Sequence, residues 1–311
     1  MEKIVIGTRG SKLALWQANF VKSKIEQKHK SVKVELKIIK TKGDKILDVP
    51  LAKVGGKGLF VKEIEEALLR EEVDLAVHSM KDVPTFFPEG LYLPVITKRE
   101  DYRDAFLSRN GKKLKDMPEN SIIGTSSLRR KSQLKNLRND FKIKDLRGNV
   151  DTRLKKLEKG EYDGIILAVA GLKRMKFEKK ITEYLDVDVM IPAIGQGALG
   201  IEIRKDDEKI LDIITFLNDE NTFIEVSCER AFLKELEGGC QVPIGAFAKI
   251  GEKYLKLIGF VADVDGSNFI KDELTGRVEN YEILGKELAK RILNKGGKEI
   301  LEKVYNQNFK E

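Results

Sequence analysis

One of the two cysteines lies in a segment that is rich in glycine, Glu237-Gly-Gly-Cys-Gln-Val-Pro-Ile-Gly245. Cys240 follows a predicted helix over residues 222–236, and no apolar periodicity includes it. The flexible glycines favour a loop in which a small molecule can reach the sulfur, and a thiolate is a good nucleophile. A buried thiol that serves as a small apolar side chain is the alternative. The other cysteine, Cys228, lies at helical spacing from apolar residues, which predicts packing.

Arginines and hydroxyl groups recur where predicted strands turn into helices. Gly124-Thr-Ser-Ser-Leu-Arg-Arg130 makes one such turn, and Leu146-Arg-Gly-Asn-Val-Asp-Thr-Arg153 makes the next. Arginine side chains and the free backbone N–H groups of a helix start are suited to carboxylate or phosphate. In any one turn a helix N-cap followed by solvated arginines is the alternative, but repetition at successive strand ends predicts a polyanion site. The whole set is Arg9, Ser11, Thr125, Ser127, Arg129, Arg130, Arg147, Arg153 and Arg174.

A carboxylate with a cationic neighbour follows a predicted buried strand, in His78-Ser-Met-Lys-Asp-Val-Pro84. A carboxylate that stays ionised among cations can stabilise a positive charge that develops in a reaction, so Asp82 is a candidate catalytic residue. The alternative is that Lys81 and Asp82 form a surface ion pair of little energetic value. His78 lies within the strand, which favours a structural role. With two histidines in the chain and no clustered cysteine and histidine spacing, a metal site is not supported.

Two glycine-rich segments are similar to nucleotide-binding motifs, but their context is wrong. Gly195-Gln-Gly-Ala-Leu-Gly200 has dinucleotide spacing, yet a predicted strand follows it at residues 201–204, where the motif requires a helix start. Gly55-Gly-Lys-Gly58 is followed by a leucine, where a phosphate loop needs serine or threonine. We therefore expect neither a nicotinamide nor a flavin cofactor. The second segment is instead predicted to be part of a mobile loop that carries Lys53 and Lys57.

The chain has 311 residues, which suffice for two or three domains. Its formal net charge of +8 favours anionic partners, either nucleic acid or small molecules with several carboxylates or phosphates. Aromatic residues make up 7%, and none is interleaved with the arginines, which argues against nucleic-acid binding by base stacking. Two cysteines give no disulfide framework, and the N-terminus carries no evident export signal. We therefore expect a cytoplasmic protein without a membrane partner.

Predicted strands and helices alternate over the first two thirds of the chain, which indicates α/β layers. The strands are expected at residues 3–7, 32–39, 75–78, 122–124, 142–145 and 164–169, and the helices at 13–27, 60–70, 128–138 and 152–158. The triplet Ile-Gly-Thr at residues 6–8 and 123–125, and acidic residues before later strands at Asp74 and Asp163, suggest two similar lobes. The last third changes to three strands with short turns, at 246–250, 254–262 and 269–277, followed by two helices.

Together these segments resemble the hydroxymethylbilane synthase family, also called porphobilinogen deaminase. The resemblance runs in order along nearly the whole chain, and its motifs are specific. It is carried by Gly7-Thr-Arg-Gly-Ser-Lys-Leu-Ala14, Lys53-Val-Gly-Gly-Lys-Gly-Leu-Phe60, His78-Ser-Met-Lys-Asp82, Gly124-Thr-Ser-Ser-Leu-Arg-Arg130, Leu146-Arg-Gly-Asn149, Leu167-Ala-Val-Ala-Gly-Leu-Lys-Arg174, Ile194-Gly-Gln-Gly197 and Glu237-Gly-Gly-Cys-Gln-Val-Pro243.

The resemblance implies an enzyme of three domains. The implied fold class is α/β, with two periplasmic-binding-protein-like α/β lobes plus a small α+β C-terminal domain that has a three-stranded antiparallel sheet. The implied boundaries are residues 1–97 and 196–216 for domain 1, residues 98–195 for domain 2, and residues 217–311 for domain 3.

The resemblance also implies a transferase that joins four porphobilinogen molecules head to tail, with release of ammonia, to give the linear tetrapyrrole hydroxymethylbilane. It implies one covalent dipyrromethane cofactor per chain and a monomer whose partner is the small-molecule substrate, with no nucleic acid and no metal. By their positions in the family motifs, Asp82 is the catalytic carboxylate and Cys240 is the sulfur that holds the cofactor through a thioether. The implied cofactor-binding residues are Lys81, Thr125, Ser127, Arg129, Arg130 and Arg147. The implied substrate-binding residues are Arg9, Ser11, Lys53, Lys57, Arg147, Arg153 and Arg174.

The chemistry of such a substrate suits these residue types. Each pyrrole unit brings two carboxylates, so a growing chain needs several arginines. Loss of ammonia leaves a cationic azafulvene, which a nearby carboxylate stabilises. Two other hypotheses remain: a two-lobe binding protein for a polycarboxylate, which the lack of an export signal disfavours, and a nucleic-acid-binding protein.

Overall fold

The computed structural model describes residues 2–45, 61–237 and 242–308. Its chain forms two compact units, and it passes from one to the other after Glu100, Gln196 and Phe223. The first unit holds a five-stranded sheet, and the second holds another five-stranded sheet together with a three-stranded sheet. The domain boundaries that the resemblance implies stay a prediction. Lys53, Lys57 and Cys240 lie outside the described residues.

Strands and helices alternate along the segments of the chain that form the first two sheets, as the sequence predicts. The strands are β1 (Glu2–Thr8), β2 (Val32–Ile38), β3 (Leu75–Ser79), β4 (Leu91–Ile96), β5 (Asp104–Ser108), β6 (Ile122–Gly124), β7 (Lys142–Lys144), β8 (Gly164–Ala168), β9 (Glu183–Leu185), β10 (Leu199–Arg204), β11 (Ile244–Ile250), β12 (Leu255–Ala262) and β13 (Phe269–Gly276). The helices are α1 (Lys12–Lys28), α2 (Lys42–Lys45), α3 (Lys62–Leu69), α4 (Leu128–Leu137), α5 (Val150–Glu158), α6 (Val169–Arg174), α7 (Glu208–Ile214), α8 (Glu220–Glu235), α9 (Tyr281–Ile292) and α10 (Lys298–Asn308).

The first sheet has the strand order β2-β1-β3-β10-β4. β1 runs parallel to β2 and β3, whereas β10 is antiparallel to both of its neighbours. Helix α1 packs on this sheet because Ala18, Val21 and Ile25, which share one helix face, are fully buried against it. The helix thereby covers the strands that lead into the first group of candidate site residues.

The second sheet repeats this arrangement with the order β7-β6-β8-β5-β9. β6 is parallel to β7 and β8, and β5 is antiparallel to β8 and β9. The two acidic residues noted in the sequence have equivalent contacts. A carboxylate oxygen of Asp74 accepts a hydrogen bond from the N–H of Val5 at 2.7 Å, and one of Asp163 accepts from the N–H of Ile122 at 2.8 Å. The strand order and this shared hydrogen bond confirm the prediction of two similar lobes.

The third sheet is antiparallel, with the order β11-β12-β13, and its strands lie close to the three predicted ones. Helices α8, α9 and α10 share its apolar core, where Leu284, Leu288 and Ile292 lie on one face of α9 and are buried. Cys228 is fully buried in the same core, and burial raises the pKa of its thiol, which confirms the packing role. Two α/β lobes and a small antiparallel sheet are therefore present, as the predicted fold class requires.

The sequence analysis did not predict strands β4, β5 and β9 or helices α2, α6 and α7. Pro94 lies inside β4, and proline normally argues against a strand; here it is tolerated because β4 is at the edge of the sheet. β9 has only three residues, too few for a visible alternation. The strand predicted over residues 164–169 ends at Ala168, and Val169 begins α6 instead.

Gly285 provides a test of how α9 packs on α8. A methyl group there would contact the backbone oxygen of Cys228 and lie 2.9 Å from Cβ of Ala231. We expect Gly285→Ala to lower the free energy of unfolding by about 1–3 kcal/mol, because one helix must shift. Urea denaturation measures this. The control is Gly251→Ala, whose methyl group would lie 3.5 Å from its nearest neighbour. Equal unfolding midpoints for the two variants would contradict the close approach.

Candidate active site

In the first unit, two adjacent parallel strands bring four candidate residues to one edge of the sheet. β1 and β3 pair in parallel, so their carboxyl ends lie side by side. Arg9 directly follows β1, and Ser11 is the N-cap of α1, where its Oγ accepts a hydrogen bond from the N–H of Ala14. Lys81 and Asp82 belong to a short 3-10 turn that directly follows β3. The geometry joins these residues, while their binding roles stay a prediction.

The turn that carries Asp82 is held by its neighbours in the first unit. Met80 is buried, and its N–H donates to the carbonyl of Ala198 at 3.1 Å. The side-chain amide of Gln17 donates to Oγ of Ser79 at 2.8 Å, which ties α1 to the end of β3. Asp82 itself is exposed and forms no ion pair with another described residue. Its carboxylate is therefore open to a ligand, and the surface ion pair considered from the sequence is not formed.

In the second unit, three parallel strands bring the other candidates to the carboxyl edge of the second sheet. β6 lies between β7 and β8 and is parallel to both. Thr125 and Ser127 follow β6, and Arg147 follows β7. Arg153 lies in α5, and Arg174 is the last residue of α6, which follows β8. The strand ends lie as the sequence predicts, so cationic and hydroxyl side chains are concentrated at this edge.

Arg129 and Arg130 are not solvated arginines but share one buried carboxylate. Nη2 of Arg129 lies 2.8 Å from Oδ2 of Asp104, and Nη2 of Arg130 lies 2.7 Å from Oδ1. Each guanidinium also bonds to the backbone: Nη1 of Arg129 donates to the carbonyl of Ile191 at 2.6 Å, and Nη1 of Arg130 donates to that of Ile166 at 2.9 Å. The two cations thus fasten α4 to β5, to β8 and to the segment before β10.

The charges of this cluster do not cancel. Burial by itself would raise the pKa of Asp104, but the charges and hydrogen bonds of Arg129 and Arg130 outweigh it and lower that pKa to about 2. Asp104 therefore stays ionised at any physiological pH. Two guanidinium groups around one carboxylate leave one excess positive charge within the second unit. An anionic ligand near this cluster would be favoured.

Asp104, Glu202 and Gln17 are three of the buried polar residues that the sequence analysis missed. Asp104 begins β5 in front of an apolar run, and an acidic residue in that position was the available signal. Glu202 lies between two isoleucines in β10, which is a similar signal. Its Oε2 is 2.8 Å from Nε2 of His78, and this buried contact fits the structural role predicted for His78. Gln17 gave no signal beyond a polar residue on the buried face of α1.

Other kinds of site are not found in the part of the chain that the structure describes. No group of three or more histidine, cysteine, aspartate or glutamate side chains there could hold a metal ion. None of the described helices has both the length and the hydropathy that crossing a membrane requires. The roles predicted for Lys53, Lys57 and Cys240 stay predictions, because these residues lie in the ranges left undescribed.

Comparison with known proteins gives matches to both parts of the chain. Residues 4–212 match the family model "Porphobilinogen deaminase, dipyromethane cofactor binding domain", and residues 223–294 match "Porphobilinogen deaminase, C-terminal domain". The porphobilinogen deaminase of Geotalea daltonii is 56% identical over 307 residues, which cover 99% of this chain and 96% of that protein. That of Pelobacter propionicus is 55% identical over 304 residues, with 98% of each chain covered.

The fold also has a distant similarity to a solved structure. A TRAP periplasmic solute binding protein from Desulfovibrio salexigens is 10% identical, covers 70% of this chain and 72% of its own, and has a TM-score of 0.43. The fold class is established by the three sheets described above.

The buried cluster gives a stability prediction. We expect Asp104→Asn to lower the free energy of unfolding by about 3–5 kcal/mol at neutral pH, because it leaves two buried guanidinium groups without a counter-charge. The pKa of Asp104 is lowered in the folded chain, so the stability it contributes is present above its ordinary pKa of about 4 and is lost as the pH falls to about 2. Urea denaturation at several pH values measures both effects. A difference from wild type that does not shrink below about pH 4 would contradict the ion-pair assignment.

Proposed function

The chain belongs to the porphobilinogen deaminase family, and we propose that it is a transferase that joins four porphobilinogen molecules head to tail to give hydroxymethylbilane, with release of ammonia. The observation that carries the proposal is the family match over residues 4–212 and 223–294, together with 56% identity to a relative along nearly the whole chain. The proposal includes a cytoplasmic enzyme that acts as a monomer.

The residues at the second sheet edge fit the cofactor of this family. A dipyrromethane carries several carboxylates, and the second unit offers hydroxyls and arginines at three adjacent strand ends. The excess positive charge of the Arg129–Asp104–Arg130 cluster supports the same assignment. When bound, the dipyrromethane supplies the carbon to which the first substrate unit is joined. Thr125, Ser127 and Arg147 would hold its carboxylates by charge-assisted hydrogen bonds.

Arg129 and Arg130 would contribute to this binding mainly through their charge. Each guanidinium already bonds to Asp104 and to a backbone carbonyl, so the pair is held in a fixed orientation. A preorganised cation loses little conformational freedom when an anion arrives. We therefore assign them an electrostatic role at the cofactor, which differs from the forked carboxylate clamp expected from the sequence.

Asp82 would stabilise the cation that forms when porphobilinogen loses ammonia. The exposed carboxylate lies at the end of a buried strand, on a turn anchored by Met80 and Ser79. At about 4 Å and an effective dielectric constant of about 20, one ion pair contributes about 4 kcal/mol. If the pair forms only in the transition state, the rate changes by about a thousandfold. Arg9, Ser11 and Lys81, at the same sheet edge, would hold the carboxylates of the substrate.

The role of Asp82 is tested by Asp82→Asn. We expect kcat to fall by about a thousandfold, because the neutral amide cannot pair with the cation, while the protein folds and keeps its cofactor. Turnover is followed by ammonia release and cofactor content by intact mass. Asp116→Asn is the matched control, because Asp116 is also exposed and also ends a three-residue 3-10 turn. Wild-type turnover in Asp82→Asn would remove Asp82 from the mechanism.

The attachment site is tested by Cys240→Ser. We expect this variant to lack the added mass of two pyrrole units, because its hydroxyl is a much weaker nucleophile than a thiolate. Intact mass and peptide mapping of the purified protein give the result. Cys228→Ala should keep the adduct, because Cys228 is fully buried. An adduct on Cys240→Ser, or bare wild-type protein that porphobilinogen does not load, would contradict the proposed function.

A further inference from the structure

Three ionisable side chains lie together in the first unit, close in the chain or in space to the turn that carries Asp82. His78 is in β3, four residues before Asp82, and is 6% exposed. Glu202 is in the adjacent strand β10, is 1% exposed, and lies 2.8 Å from the imidazole of His78. Glu65 is in α3, which packs against both strands, and is 8% exposed. Two carboxyl groups and one imidazole thus share a buried region.

This cluster has too much negative charge unless it holds a proton. Even with a charged imidazole, two ionised carboxyl groups would leave one excess negative charge, which burial disfavours. Burial and then the charge of Glu202 raise the pKa of Glu65 to about 7, against an opposing effect of His78 and with a small further increase from Glu66. Helix α3 also contacts β1 and β4, but no charged group of the described residues in these two strands contributes to the pKa shift of Glu65. Oε1 of Glu202 is buried without a hydrogen-bond partner in the described chain, so it can accept a hydrogen bond from a protonated neighbour.

The strand that carries Glu202 also supports the turn. Gly200 lies directly opposite His78 in the register of β10 and β3. A methyl group at Gly200 would contact the sulfur of Met80 and lie 2.6 Å from Leu93, so Met80 rests directly on the β10 backbone. Met80 is the first residue of the turn that ends at Asp82. A shift of β10 is therefore passed to the turn.

We propose that Glu65, His78 and Glu202 form a buried proton-holding cluster that positions the Met80–Asp82 turn. The proton resides on Glu65 and is released to solvent as the pH rises, with no other bond changed. The second negative charge then strains the contact between His78 and Glu202 and displaces β10. The three side chains are positioning residues, because Asp82 alone meets the reacting atoms. The inference rests on the proposed catalytic role of Asp82.

Glu65→Gln tests the proposal through the pH profile of turnover. Glutamine has the shape of protonated glutamate but does not ionise, so this variant should lack the decline that wild type shows at high pH. We expect the ratio of kcat for Glu65→Gln to kcat for wild type to rise about threefold or more between about pH 6 and about pH 9, with KM changed less than about twofold. The matched control is Glu66→Gln, because Glu66 is next to Glu65 in the chain and its carboxyl group is only half-buried. Its profile should keep the decline at high pH, because Glu65 can still ionise in this variant.

The imidazole of His78 gives a readout that does not depend on activity. The chain has two histidines, so the ¹⁵N signals of His78 can be assigned by comparison with His29→Gln. We expect these signals to show an inflection near the pKa of Glu65, about 7, in wild type and not in Glu65→Gln. The free energy of unfolding should also depend on pH. Because folding raises the pKa of Glu65, its contribution to stability is complete below about pH 4.5 and is lost as the pH rises through about 7. The unfolding midpoint of Glu65→Gln should therefore gain on wild type as the pH rises.

Each result decides one part of the proposal. If the ¹⁵N signals of His78 depend on pH identically in wild type and Glu65→Gln, the proton-holding cluster is overturned. If these signals differ but the pH profiles of kcat are identical, the positioning role is overturned and the cluster stands. Glu202→Gln supplies a second variant, for which we expect kcat to fall about tenfold while the cofactor is retained. If Asp82→Asn keeps its turnover, the proposed role of Asp82 fails, but the ¹⁵N signals of His78 still report on the cluster.

Discussion

The ion pair between one buried carboxylate and two arginines is the constraint on which the second unit depends. Asp104 begins the antiparallel strand β5, and Arg129 and Arg130 lie in the first turn of α4, more than twenty residues later. Their contacts join the second sheet to the helix whose N-cap, Ser127, is one of the candidate anion-binding hydroxyls. Because a buried ion cannot be left without a partner, the sheet edge and the helix start must keep one relative position. The candidate cofactor site therefore inherits its geometry from a buried ion-pair cluster.

Local patterns predicted most of the elements, because each depends on residues near in the chain. The equivalence of the two lobes was visible in the Ile-Gly-Thr triplets and in Asp74 and Asp163, since the same hydrogen bond selects an aspartate in both. The antiparallel strands β5 and β10 were harder to place. Each pairs with a strand that is far away in sequence, and the apolar pattern within a strand does not indicate which strand it pairs with.

The candidate site was predicted by residue type and by strand end, but its burial was not. Arg9 and Arg147 follow strands because the turn after a parallel strand is a local feature, whereas Arg174 lies at the end of α6. The burial of Arg129 and Arg130 could not be predicted, and neither could the contact of His78 with Glu202, since these depend on carboxylates from β5 and β10. Charge alone does not distinguish an arginine that binds a ligand from one that binds an internal aspartate. Tertiary pairing decides between them.

The order of strands in the first sheet has a consequence for synthesis on the ribosome. All five strands of the second sheet lie between Asp104 and Leu185, so this sheet can be completed as soon as that segment has emerged. The first sheet begins at Glu2 but needs β10, which ends at Arg204, between β3 and β4. Its earlier strands must wait, with one strand edge unpaired, while about a hundred further residues are translated. The lobe that is first in the chain is thus the later of the two to close.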